Sequence, residues 1–312
     1  MGIPFEVLIE DTLLEDLIPT TTLKPISNKS VVSIINDYED NVWRYKKFNQ
    51  YIWNNISQDA LTKEERVSLI DSPDTILERA ASRLRIIQYK KTGEDEKTGG
   101  EIAEILLYGI MRHYYNALPI VPKIFYKQNK NDYAKGADSV HIVVEDNDNF
   151  SLWLGEAKFY KNIENSDLDK IVTSVHETLS TEKIRKENSI ITGLSEFDKY
   201  DIDESLKDNI KTLLNEETSI DKIKPILHIP IILLHECAIT ASTTEITADY
   251  KTQIIAKHKE RAESYFSKQL EKCKDIAKYA EIKFHLILFP VPNKENIVDR
   301  FIKRAKELRD EQ

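Results

Sequence analysis

The stretch GADSVHIVVEDNDNFSLWLGEAKFY, residues 136–160, decides how the chain is read. Two apolar runs, 137–145 and 150–159, flank EDNDN, and Asn and Asp suit the left-handed positions of a tight turn. The stretch therefore reads as an antiparallel β-hairpin. Asp138, Glu156 and Lys158 stand in it among Val140, Ile142, Val144, Leu152 and Leu154. Burying a charge without a partner costs several kcal/mol. Either the hairpin is less buried than its pattern suggests, or the three groups are there for chemistry.

Side chains alternate faces along a strand, so Glu156 and Lys158 point one way and Ala157 the other. Both faces are apolar, with Leu152 and Leu154 on one and Trp153 and Phe159 on the other. That is the pattern of a central strand. If Glu145 pairs with Asn149 across a three-residue loop at Asp146–Asp148, Asp138 comes to lie opposite Glu156 on the same face. A slip of one residue would send it to the other side. Two neighbouring carboxylates repel unless a positive charge sits between them. Oxygen ligands with open positions suit Mg²⁺ or Mn²⁺, and Lys158 is placed to orient a water or stabilise a charged transition state. Phosphodiester hydrolysis is the reaction this set of groups fits. Glu-x-Lys alone is a weak signal: it recurs at Glu281–Lys283, and Asp95–Lys97 matches a looser form. Neither has an acidic residue on a preceding paired strand.

The remaining composition bounds the function classes. The chain has 312 residues, 41% hydrophobic and 31% charged, which is material for a sizeable globular core. No apolar run approaches the ~20 residues of a membrane span, so no membrane partner is expected. The opening MGIPFEVLIEDTLLEDLIP lacks a basic region ahead of its apolar residues, and Glu6 stands where a myristoylation motif wants Ser or Thr. Cys237 and Cys273 form neither a disulfide framework nor a metal knuckle. A cytoplasmic location is expected. The net charge of −9 argues against a general nucleic-acid coat protein but not against a nuclease, which needs only a local basic surface. Lys123, Lys127, Lys130, Lys135, Lys158 and Lys161 crowd the hairpin and offer one; the alternative is that they are ordinary solvated lysines.

No repeat of 20–50 residues is present. Residues 1–95 read as an extension of mostly helical character, with 71–91 its clearest helix, and TGEDEKTGG (92–100) as a boundary. Residues 96–312 then read as helix 101–116, strands 119–127, 137–145 and 150–159, and helix 165–187 with a capping box at Ser166 and Asp169. A less regular acidic segment at 193–223 follows, then strand 225–236, helix 249–280, strand 282–291 and helix 294–310. The expected fold is α/β: a mixed central sheet flanked by helices.

Asp138, followed by Glu156-Ala157-Lys158 on a helix–strand–strand–strand–helix–strand core, resembles the PD-(D/E)XK nuclease superfamily, whose core is the restriction-endonuclease-like αβββαβ unit. More closely, GGEIAEILLYGIM, KGADSVHI and LWLGEAKFY resemble HamA, the nuclease subunit of Hachiman anti-phage defence systems. The likeness is carried by about 98–160, extends towards the C-terminus and is silent on 1–90. It implies a Mg²⁺- or Mn²⁺-dependent deoxyribonuclease. Asp138 and Glu156 would be the metal carboxylates, Lys158 the catalytic lysine, and Ala157 would count with the metal site. The proline that the family pattern sets before the aspartate is absent; Ala137 stands there. The resemblance further implies DNA as substrate and a HamB-like helicase as partner and restraint. The superfamily often adds a glutamate from the first core helix. Glu104, set among Ile102, Ala103, Ile105, Leu106 and Leu107, is the first choice; Glu101 is the second, with a capping box on Thr98 as its competing reading.

Other candidates are weaker. His228, His235 and His285 lie inside apolar strands and read as satisfied core histidines. HEC at 235–237 lacks the helical spacing of a zinc protease, and no P-loop or dinucleotide fingerprint is present. Two further readings stand beside the defence nuclease: a non-catalytic DNA- or protein-binding module on the same fold, and a stand-alone restriction or repair endonuclease.

Overall fold

The longest apolar strands of the sequence lie at the centre of the molecule. The computed structural model describes residues 2–19, 21–86, 99–127, 136–145, 149–193, 195–198, 200 and 202–310. Strands are β1 (Glu6–Leu13), β2 (Lys29–Ile35), the small ribbon β3 (Tyr38–Glu39) and β4 (Val42–Trp43), β5 (Leu118–Val121), β6 (Ser139–Val144), β7 (Phe150–Tyr160), β8 (Leu227–Glu236) and β9 (Lys283–Val291). The helices used below are α1 (Tyr45–Ala60), α2 (Pro73–Ser82), α3 (Gly100–Tyr114), α4 (Lys123–Lys127), α5 (Asn165–Thr178), α6 (Thr181–Gly193), α7 (Ala248–Cys273) and α8 (Lys294–Asp310).

Seven strands form one mixed sheet in the order β1-β2-β9-β8-β7-β6-β5. β2, β9, β8 and β7 run parallel, while β1, β6 and β5 each pair antiparallel to their inner neighbours. Parallel strands are covered on both faces and so read as continuous apolar runs, as in IPIILL and HLILF. On one face, Leu152 and Leu154 pack with Leu168, Ile171 and Val175 of α5 and with Tyr265 and Phe266 of α7. On the other, Trp153, Ala157 and Phe159 pack against α1, α3 and α8. Helix α3 is apolar all round and is buried from Glu101 to Met111, as such a helix must be. Gly155 permits its close approach: a Cβ there would lie 2.8 Å from Leu107 Cδ2 and 2.2 Å from Ser139 Oγ.

The mixed α/β sheet agrees with the sequence reading, and several elements differ. Residues 1–86 supply helices but also β1 and β2, which extend the same sheet through the β2–β9 pairing. The expected strand 119–127 stops at Val121, because Pro122 has no N–H for the ladder and opens α4, where Ile124 N–H donates to Asp59 Oδ1 at 3.0 Å. The expected helix 165–187 is two helices. Leu179 caps α5 with its N–H on Val175 O at 3.1 Å, and the Ser180 carbonyl opens α6 by accepting from Ile184 N–H at 3.0 Å. The Ser166–Asp169 box does not form, because α5 starts earlier, after Glu164. The acidic segment is partly helical, at Ser195–Asp198, Glu204–Leu213 and Ile220–Ile223. The 71–91 helix spans Pro73–Ser82, and 249–280 shortens to α7. The boundary loop 92–98, Thr98, the turn 146–148 and Lys130 and Lys135 lie outside the described residues.

Candidate active site

The register of β6 and β7 positions the site. Ser139 stands opposite Gly155 and Val144 opposite Phe150, and Glu145 N–H donates to Asn149 O at 2.8 Å. Hydrogen-bonded pairs therefore fall on odd-numbered residues, and a continued ladder would next join Ala137 to Ala157. The chain leaves the ladder there instead. Asp138 N–H donates to Gly155 O at 2.8 Å, and its carboxylate Oδ2 accepts the Ala157 N–H at 3.1 Å. A side-chain oxygen thus serves an amide that lost its strand partner.

The same Oδ2 accepts from Lys158 Nζ at 3.2 Å, and Lys158 Nζ donates to Glu156 Oε1 at 2.5 Å. Two carboxylates from adjacent strands converge on one ammonium. Exposure is graded across the three side chains: 4% for Glu156, 17% for Asp138 and 28% for Lys158. Glu156 forms the floor and Lys158 reaches the mouth. From above, Ser174 of α5 donates to Glu156 Oε1 at 2.5 Å. Burial, then the Asp138 carboxylate, push the Glu156 carboxyl above its ordinary value, although Lys158 and Ser174 pull the other way. Burial pulls the Lys158 ammonium down, but Asp138 and Glu156 outweigh it and raise the group above the usual lysine range. Lys158 is therefore a firm cation at neutral pH. Tyr265 of α7 lies in the same core cluster, fully buried, and its hydroxyl has no hydrogen-bond partner among the described residues.

Glu101 and Glu104 fare differently from the central three. Both Glu101 oxygens accept from backbone amides, Arg85 N at 2.8 and 3.0 Å and Ile86 N at 2.8 Å, so this carboxylate holds the preceding chain in place. Glu104 is 7% exposed on a helix that packs against the Ala157 face of β7. Lys123, counted among the surface lysines, is instead 1% exposed and paired with Glu187 at 2.6 Å. Lys161 is exposed. The three strand histidines are buried and hydrogen-bonded. His285 bridges Asp11 (2.9 Å) and His228 (2.9 Å), and His235 meets His258 at 3.3 Å. Sequence reading missed Ser174 and Glu187. Their signal was present, since each interrupts an apolar stripe: Ser174 beside Ile171 and Val175, and Glu187 between Ile184 and Ile190.

Among the described residues no three His, Cys, Asp or Glu side chains cluster as a ready metal cage. Two carboxylates focused on one cation are nonetheless a donor set for Mg²⁺ or Mn²⁺, which keep several waters and take only one or two protein carboxylates. Asp138 and Glu156 fit that role.

Residues 11–305 match the HamA family model. The chain belongs to the HamA family. It is accordingly a Hachiman-type defence protein, and the match takes in β1 from Asp11 onward, together with β2, beyond the stretch that the motifs alone carried. No curated protein matches this HamA-family chain. Among its described residues no helix is long and apolar enough to cross a membrane.

Proposed function

We propose that this HamA-family chain is a metal-dependent DNA nuclease of the PD-(D/E)XK kind, the cutting arm of a defence system whose helicase partner restrains it. The convergence of Asp138 and Glu156 on Lys158 Nζ supports the reading most directly. In it, Asp138 and Glu156 hold Mg²⁺ or Mn²⁺. A bound ion of this type supplies acidification of a water and relief of the charge that builds on the phosphoryl group. Lys158, a permanent cation at the mouth, orients that water or donates to a phosphoryl oxygen. Ser174 fixes the Glu156 carboxylate. Of the two helix glutamates, Glu101 is occupied by the Arg85 and Ile86 amides, and Glu104 lies on the helix that packs against the other, Ala157 face of β7.

Plasmid incubated with the purified chain and its helicase partner tests this. Nicking or cutting in Mg²⁺, lost in EDTA and lost in Lys158→Ala, is expected. Mg²⁺-dependent cutting by Lys158→Ala at the wild-type rate would overturn the reading.

The partner surface is proposed on residues 1–95, where Val67 and Ile70 are 60% and 71% exposed. Deleting the segment is no test, since β2 is paired to β9. Val67→Asp/Ile70→Asp should keep the fold and lose co-purification with the helicase; retained co-purification would place the partner elsewhere.

A further inference from the structure

We infer that Glu187 is a positioning residue for Asp138, acting through the peptide that precedes it. The inference rests on the proposed metal-binding role of Asp138. Glu187 lies on α6, and its carboxylate is enclosed at 1% exposure. It accepts twice from Lys123 Nζ, at 2.8 Å to Oε1 and 2.6 Å to Oε2, and Oε1 also accepts the Ala137 N–H at 2.9 Å. It fills the space a side chain at residue 136 would need: a Cβ on Gly136 would lie 1.9 Å from Glu187 Oε1.

The place of this contact in the chain gives it its effect. Residue 137 is where the β6–β7 ladder would have continued and does not. Two amides are left over at that fork, those of Ala157 and Ala137. Asp138 takes the first and Glu187 the second. Glu187 thereby fixes the angle at which the chain leaves the sheet. That angle sets where the Asp138 carboxylate points, because the next fixed atom is the Asp138 N–H on Gly155 O. Lys123 supplies the opposite charge that a buried carboxylate requires. It also ties α4 to the same point, so Lys123 Nζ and the Ala137 N–H meet at one carboxylate. Proline at 137, expected from the motif, would have no N–H for Glu187; alanine there keeps the donor.

If the hydrogen bond to Ala137 matters, an uncharged acceptor at 187 should serve once Lys123 no longer needs a counter-charge. Mn²⁺ is titrated calorimetrically into the wild type, Lys123→Met/Glu187→Gln, Lys123→Met/Glu187→Leu, Gly136→Ala and Asp138→Asn, with circular dichroism to confirm folding. The Gln double variant should stay within about 3-fold of wild type. The Leu double variant should bind about 10-fold or more weakly, the scale seen when an outer-shell partner of a metal site is removed. Gly136→Ala should also weaken binding, since its Cβ displaces Glu187 Oε1, and it leaves the ion pair's charges intact if the Leu variant does not fold. Wild-type affinity in a folded Leu double variant or in Gly136→Ala overturns the inference, as does equal weakening of the Gln and Leu variants. If Asp138→Asn alone is weakened, positioning by Glu187 fails and the metal site stands. If the wild type binds no Mn²⁺, or Asp138→Asn binds as wild type does, the metal site fails and this inference with it.

Discussion

Two lysine–carboxylate clusters lie on neighbouring parts of the molecule and solve opposite problems. At Lys123 one ammonium meets one carboxylate through both oxygens, and both side chains are sealed at 1% exposure. At Lys158 one ammonium meets two carboxylates, and it stays 28% exposed. The first arrangement is matched in charge and closed, which is what a buried ion pair needs in order to repay its desolvation. The second concentrates carboxylate around a single cation and leaves a way in. Burial of charge therefore does not by itself mark a site. An excess of like charge brought together at the open end of a strand pair does, because such a grouping is stabilised by a further cation.

Breaking each cluster should therefore affect different observables. Glu156→Ala or Lys158→Ala should reduce nuclease activity by about 10³-fold, the scale of losing a positioned charge or proton-transfer group. Thermal unfolding should change little in Glu156→Ala, which leaves Asp138 paired with Lys158. Activity within 10-fold of wild type would assign the chemistry to other residues.

Lys123→Ala should do the reverse, costing about 3–5 kcal/mol of stability by leaving Glu187 buried without its counter-charge. Urea denaturation followed by circular dichroism measures this; a loss below about 1 kcal/mol would mean that the pair is not sealed from water.

The subtlest expected difference depends on pH. Burial and Asp138 raise the folded-state value of Glu156 above its ordinary one, so folding favours its protonated form. That contribution is fully present below the ordinary glutamate range and is lost as pH rises through the raised value. Without metal, Glu156→Gln should then be more stable than wild type at neutral pH by about 1 kcal/mol or less. The gap should close as pH falls toward the ordinary glutamate range. Melting curves across that range, in chelator, check the sign; a gap that widens in acid would reverse it.

The hairpin was legible because its faces are so unlike: a register shifted by one residue would have turned Leu152 and Leu154 away from the core. Asp138, Glu156 and Lys158 came together for the same reason. β1 and β2 were not legible. β1 carries charges along its length, and its pairing with β2 shifts register on both sides of Ile9, with Asp11 at φ 28°. Such irregularity erases the period of two. β2 finds its partner β9 some 250 residues later, as in Ser30 opposite His285, and no local pattern announces that. The contacts of Glu101 were not legible, because they depend on where the Arg85 and Ile86 amides end up, which is a tertiary fact. Pro122, in contrast, announced the end of β5 in the sequence, and the expected strand ran through it regardless.

Anomalous diffraction from crystals of the chain soaked in Mn²⁺ would show whether Asp138 and Glu156 together hold a divalent ion. One anomalous peak is expected about 2.1 Å from an oxygen of each carboxylate, completed by waters, with Lys158 Nζ withdrawn from between them. No peak within reach of both carboxylates, with Lys158 still bridging them, would contradict a metal-binding role for the pair.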